Sequence, residues 1–108
     1  MKLNDLKAHE GSMGKEEYTL ARIKIKSATV DFDAIGESGD TKDDLQQIDG
    51  IDMGLETRLN TLGISTLQQL SRMDDDISDD INDAIEYMPG RIRRQLWSEQ
   101  AKILIEQR

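Results

Sequence analysis

The sequence predicts an all-α domain: a compact set of five short helices over residues 41–108, led by an N-terminal arm over residues 1–40 that is either flexible or β-forming. Three observations carry that expectation. Apolar residues recur at three- and four-residue steps through Ile48, Ile51, Leu55, Leu59 and Leu62, which lines one side of a helix. Stop signals cut the remainder into short pieces: Gly63 follows one apolar stripe and the Pro89-Gly90 pair follows another, where a left-handed glycine or a proline ends a helix. Side chains able to bond free helix N–H groups stand ahead of the stripes, among them Thr41, Asp52, Ser65 and Ser78;.

In chain order, residues 1–17 mix charges with two glycines and show no periodicity, and read as a mobile lead. Over residues 18–32 the pattern becomes alternation. Ala21, Ile23 and Ile25 interleave with Arg22, Lys24 and Lys26, and Ala28, Val30 and Phe32 continue on the opposite parity. Period two with β-branched residues signals a strand, and the parity switch signals a bulge or a break. A lone hairpin is marginal in water, so such a strand needs a partner. A homodimer paired through the arm is one outcome and an unstructured arm is the other. Residues 34–40, AIGESGD, read as a linker that places the domain boundary near Asp40;.

Beyond it, Thr41 with Asp44 gives a capping pattern ahead of a first helix over residues 45–48;. The turn Gly50-Ile51-Asp52-Met53 leads to a second helix over residues 54–62, and Ser65 with Gln68 opens a third that runs to Ser71. Ser78 caps a fourth, with Ile81, Ala84, Ile85 and Met88 on one stripe and Ile77 as a staple in front;. A fifth, over residues 94–107, sets Trp97, Ala101, Leu104 and Ile105 on one face;.

Composition narrows the function. With 36% apolar and 33% charged residues the core must be small;. No cysteine is present, so disulfides and thiolate metal sites are excluded, which suits a reducing compartment. No apolar run approaches the ~20 residues that span a bilayer, and a cytoplasmic protein without membrane contact is expected. The net charge of −8 is blocked: residues 31–56 carry nine carboxylates against one lysine, residues 74–90 carry seven carboxylates and no cation, and residues 91–108 carry five cations against two carboxylates. Such an acidic chain repels polyphosphates at long range, although a local basic patch still acts within a Debye length of ~10 Å.

No enzyme is indicated. His9 is the single histidine and lies in the lead, so no placed imidazole activates a nucleophile, and no glycine-rich nucleotide loop calls for a cofactor. A metal fares no better. Asp31, Asp33 and Gly36 open a calcium-like spacing, but Ile35 and Lys42 occupy positions that need oxygen ligands;. The carboxylates of residues 74–80 read as a solvated surface near a helix start.

Three stretches, DDLQQIDGI at residues 43–51, LETRLNTLGISTLQQL at 55–70 and INDAIEYMPGRIRRQLWSEQAKIL at 81–104, resemble a family of small bacterial helix-hairpin-helix domains, similar to the hairpin module of flap endonucleases. The resemblance covers about residues 42–104. It implies a non-catalytic binding module that contacts nucleic-acid backbones without sequence specificity. In that family the hairpin usually reads Gly-Ile-Gly-Pro, where glycines let backbone N–H groups approach a phosphate and the next helix adds its positive end. Gly50 and Ile51 match the first two positions, Asp52 and Met53 replace the others, and Gly54 follows. A carboxylate at position 52 repels phosphate and can cap the helix instead.

The candidate contacts to a DNA or RNA backbone are therefore Gly50, Ile51 and Gly54, with Arg91, Arg93 and Arg94 as a phosphate-neutralising patch. Each has a plainer reading. Gly50 satisfies a turn that needs positive φ, and the arginines pair with the acidic run at residues 74–80. Trp97, at helical spacing with Ala101 and Leu104, belongs to the core. On those readings the partner is an unidentified protein and the hairpin is structural only.

Overall fold

A computed structural model describes residues 14–108; the rest of the expected mobile lead, with His9, lies outside the described residues. Where the alternating pattern predicts a strand, the chain forms α1 (Lys15–Lys26). The correction has a packing cause. Of the alternating residues only Ile23 is fully buried, while Ile25 is 78% exposed. The inward set is instead Thr19, Leu20 and Ile23, which recur at helical spacing. Glu16 and Glu17 in the first turn and Lys24 and Lys26 in the last complement the helix dipole.

A short 3-10 turn, Ser27–Thr29, follows. Val30 then enters the core, and the Asp31 carboxylate accepts the Ala34 N–H at 3.1 Å to start α2 (Phe32–Ile35). Ile35, read from sequence as linker, is fully buried in the same apolar cluster as the later helices. Among the described residues there is no strand, so the homodimer expected from strand pairing has no edge here on which to form.

The first expected helix is reduced to a 3-10 turn, Leu45–Gln47, capped by Asp44, which accepts the Gln46 N–H at 3.0 Å. Too few residues stand between this cap and the turn at Gly50 to nucleate an α-helix. Asp43 is left to tie this segment to a later one: its carboxylate accepts the Leu67 N–H at 2.8 Å. Asp52 caps α3 (Met53–Leu62) through the Leu55 N–H at 2.8 Å, and Gly63, at φ +112°, closes it in the left-handed conformation;.

Next, α4 (Leu67–Ser71) begins one residue later than the pattern suggests, because Thr66 and Gln69 form the capping box;. The buried Gln69 amide also donates to the Gly36 and Gly63 carbonyls at 3.0 and 3.1 Å, joining α2 to the α3 terminus. α5 (Asp75–Ala84) starts ahead of the expected cap. Asp74 accepts the Ile77 N–H at 2.8 Å, and Ser78 becomes a buried position inside the helix. The expected last helix is two pieces, α6 (Arg91–Arg94) and α7 (Trp97–Glu106), separated at Leu96, whose φ is +57°. Seven α-helices are thus present among the described residues in place of five. α7 packs mainly along α4 and α1 along α3, and Trp97, Leu45, Ile48, Leu59, Leu70 and Ile81 fill the space between. No helix among the described residues is long and apolar enough to cross a membrane.

One ion-pair node fastens α1 to this body. Glu86, at φ +58° beyond α5, accepts Arg22 Nε and Nη2 at 2.7 Å each and Lys26 Nζ at 2.9 Å. The Arg22 hydrogen bonds, seconded by Lys26, hold its carboxyl down at about 2 against an ordinary 4.5. Because the folded value is the lower one, the stabilisation is complete above about pH 4.5 and is lost as pH falls toward 2;. The cations are 53% and 37% exposed, so screening limits the contribution to about 1 kcal/mol. Urea unfolding of wild type and Glu86→Gln should differ by that amount near neutrality and converge near pH 2; a gap that stays constant with pH would contradict the node.

Candidate binding surfaces at the two glycine turns

Two turns of the same construction precede helices. In the first, the Ile48 carbonyl accepts the Ile51 N–H at 3.1 Å with Gly50 at φ +107°. In the second, the Met88 carbonyl accepts the Arg91 N–H at 3.2 Å with Gly90 at φ +76°;. The sequence reading uses Pro89-Gly90 only as a stop. The common spacing was legible: Ile48-Asp49-Gly50-Ile51 and Met88-Pro89-Gly90-Arg91 each place glycine third, after an apolar first residue. Asn82, buried in α5, builds the second turn. Its Nδ2 donates to the Tyr87 and Met88 carbonyls at 3.2 and 3.0 Å, and its Oδ1 accepts the Ile92 N–H at 3.0 Å.

The first turn is wired into the domain. A Cβ on Gly50 would lie 2.8 Å from Gln95 Cδ and 3.1 Å from Trp97 Nε1. The indole N–H donates to Gln95 Oε1 at 3.0 Å, and Tyr87 stacks on the indole with centroids 5.9 Å apart. Behind the turn, Gln100 accepts the Asp49 N–H at 2.8 Å and donates back to the Asp49 carbonyl at 3.1 Å. Ile51 is buried. Gly54 is open, its nearest neighbour being Asp52 Oδ1 at 3.5 Å from a built Cβ.

Beside this turn lies an open cleft of about 330 Å³, lined by Glu16, Asp52, Gly54, Arg58 and Tyr87 together with Gly50 and Leu55. Its guanidinium is already engaged. Arg58 Nη2 and Nε donate to the two Glu16 carboxylate oxygens at 2.7 and 2.9 Å, and Nη1 donates to the Ile85 carbonyl at 3.0 Å. The Arg58 hydrogen bond lowers the Glu16 pKa, and Glu16 in turn raises that of Arg58. An incoming phosphate would therefore meet the Asp52 carboxylate and a cation that is already paired.

The three arginines separate. Arg93 turns to α5, with Asp75 and Asp79 each at 3.3 Å. Arg94 donates to the Pro89 carbonyl at 3.2 Å and lies over Gly90, while Arg91 Nη2 reaches Met88 Sδ at 3.6 Å. Arg91 and Arg94 thus gather at the second turn, where neither forms an ion pair among the described residues although Asp75, Asp79, Asp83 and Glu99 stand nearby, next to Met88 and Leu96, which are 57% and 54% exposed. A shallow depression of about 410 Å³ joins Gly90, Arg94 and Leu96 there, with Asp75, Arg93 and Glu99 completing its lining, and it shares no lining residue with the cleft at Gly50. Among the described residues no group of three or more histidine or carboxylate side chains is arranged to hold a metal ion.

The family model described as the RS2/RL21/YNQ2 HHH domain, HHH denoting helix-hairpin-helix, matches residues 45–105. No curated protein and no solved structure matches the chain. The matched span holds both glycine turns and runs from the Leu45 turn almost to the end of α7, leaving α1 and α2 ahead of it. The match covers more than half of the sequence, and the chain belongs to the RS2/RL21/YNQ2 helix-hairpin-helix family.

Proposed function

We propose that the chain is a non-catalytic binding module whose partner is a protein, docked at the second turn, with the first turn kept as a structural element. The observation that carries this reading is the engagement of the Gly50 turn: Gln95 and Trp97 fill its inner side, Gln100 holds Asp49, and Asp52 caps α3 at the point where a phosphate would bind. A hairpin that cradles phosphate must offer open N–H groups and a positive field. Here it offers a carboxylate. At the second turn Arg91 and Arg94 lie beside exposed Met88 and Leu96 in a surface of mixed charge, and arginine with methionine is enriched at protein interfaces.

Fluorescence-anisotropy titration against short single- and double-stranded DNA and RNA at two salt concentrations tests the choice. The expected result is no binding even at low salt. Binding that weakens with salt and is loosened by Arg94→Ala would overturn the protein reading, because backbone contact releases counterions in proportion to the phosphates neutralised.

A further inference from the structure

Arg58 is held from one side whether or not Glu16 is present. Nη1 rests on the Ile85 carbonyl at 3.0 Å, α3 carries its backbone, and its side chain is only 23% exposed. The remaining edge of the guanidinium, Nε and Nη2, is the fork that matches a carboxylate in two parallel bonds. Glu16 occupies that fork from the first turn of α1 and is 47% exposed. Its helix is anchored elsewhere, through buried Ile23 and through Arg22 and Lys26 on Glu86. The Glu16 pair is therefore not the sole tie that holds α1 to the body.

We propose that Arg58 is a carboxylate-binding residue of the first-turn cleft and that Glu16 is its built-in occupant, displaced when an acidic segment of a partner protein docks. The inference rests on the protein-binding reading above and adds to it the chemistry of the partner. A planar carboxylate fits where Glu16 now sits, whereas Asp52 beside the cleft disfavours the larger charge of a phosphate;. Tyr87, which lines the cleft, directly precedes Met88 of the second turn in the chain, so a change at the cleft can be read at the neighbouring amides. An acidic segment docked at the cleft would place a carboxylate on Arg58. Glu16 then acts as a competitor inside the molecule: it reduces apparent affinity by the fraction of time it holds the fork.

The test uses the full chain, a short peptide alternating glutamate with leucine, and nitrogen-detected NMR of the Arg58 Nε signal alongside the backbone amides of residues 88–96. In Glu16→Gln the peptide should bind about threefold to fivefold more tightly than in wild type, the population ratio that a half-exposed ion pair sustains, and the Arg58 Nε signal should move. Arg58→Lys, which keeps the charge but loses the fork, should remove that gain. If the amides of residues 88–96 shift while Arg58 Nε does not, the carboxylate site is overturned and the protein-binding reading stands. If neither responds, both fall. Glu16→Gln that lowers thermal stability and leaves affinity unchanged would reduce the pair to a staple for α1. An oligonucleotide that moves Arg58 Nε where the peptide does not would overturn the choice of carboxylate.

Discussion

Truncating Trp97 to alanine is expected to destabilise the protein by about 3–5 kcal/mol, the cost of removing a large aromatic from a core that cannot collapse around the void. The indole has no exposed surface. It stacks on Tyr87 at 5.9 Å, donates to Gln95 at 3.0 Å and backs the Gly50 turn, so one side chain joins α7, the chain after α5 and the first turn. Domains of this size have roughly 5–15 kcal/mol in total, and the variant should unfold at a much lower urea concentration with an unchanged slope. Trp97→Phe keeps the ring stack and loses the indole N–H; about 1–2 kcal/mol is expected, the range for a smaller ring and one lost hydrogen bond. Far-ultraviolet circular dichroism is the appropriate probe, since the variants lack the fluorophore. A loss below about 1 kcal/mol for alanine would show that the indole is not the junction its burial indicates.

The same residue shows what could be read from the sequence. Its apolar spacing with Ala101 and Leu104 places it in the core from the pattern alone, and both are indeed on the inward side of α7. The cap at Asp52 and the stop at Gly63 are equally local signals and reappear in place. Elements slip where several capping residues stand in a row: Thr66 takes the role expected of Ser65, and Asp74 the role expected of Ser78. α1 was hidden because alternating Ile23 and Ile25 imitate a strand until tertiary contacts select Ile23 alone. At the candidate surfaces the pairing of Arg93 with the α5 carboxylates follows from the charge blocks. The clamp on Gly50 and the Arg58 to Glu16 fork do not, since each joins residues more than 40 positions apart with no shared period. Long-range polar contacts of this kind leave no trace in local propensity.

Gly50→Ala separates a structural turn from a phosphate-binding one. The φ of +107° alone costs a side-chain-bearing residue about 1–3 kcal/mol. The added methyl also meets Gln95, whose Cδ is 2.8 Å away. Gln95 is flexible, yet it cannot withdraw freely, because its Oε1 accepts the Trp97 indole N–H and retreat leaves a buried donor unpaired. The combined cost should be about 2–4 kcal/mol. Gly39→Ala is the matched control: its φ is +58° and a Cβ there meets nothing within 4 Å, so about 1 kcal/mol is expected from conformation alone. In a Gln95→Ala background, which already carries the unpaired indole N–H, Gly50→Ala should cost about 1 kcal/mol less than it does in wild type, because the collision is absent and the backbone strain remains. If Gly50→Ala costs no more than Gly39→Ala, the clamp carries no energy and the turn is free to serve a ligand. If the larger cost appears and shrinks in the Gln95→Ala background, Gly50 is retained because Gln95 and Trp97 leave room for hydrogen alone, and a glycine in the hairpin of this family ceases to be sufficient evidence for phosphate binding.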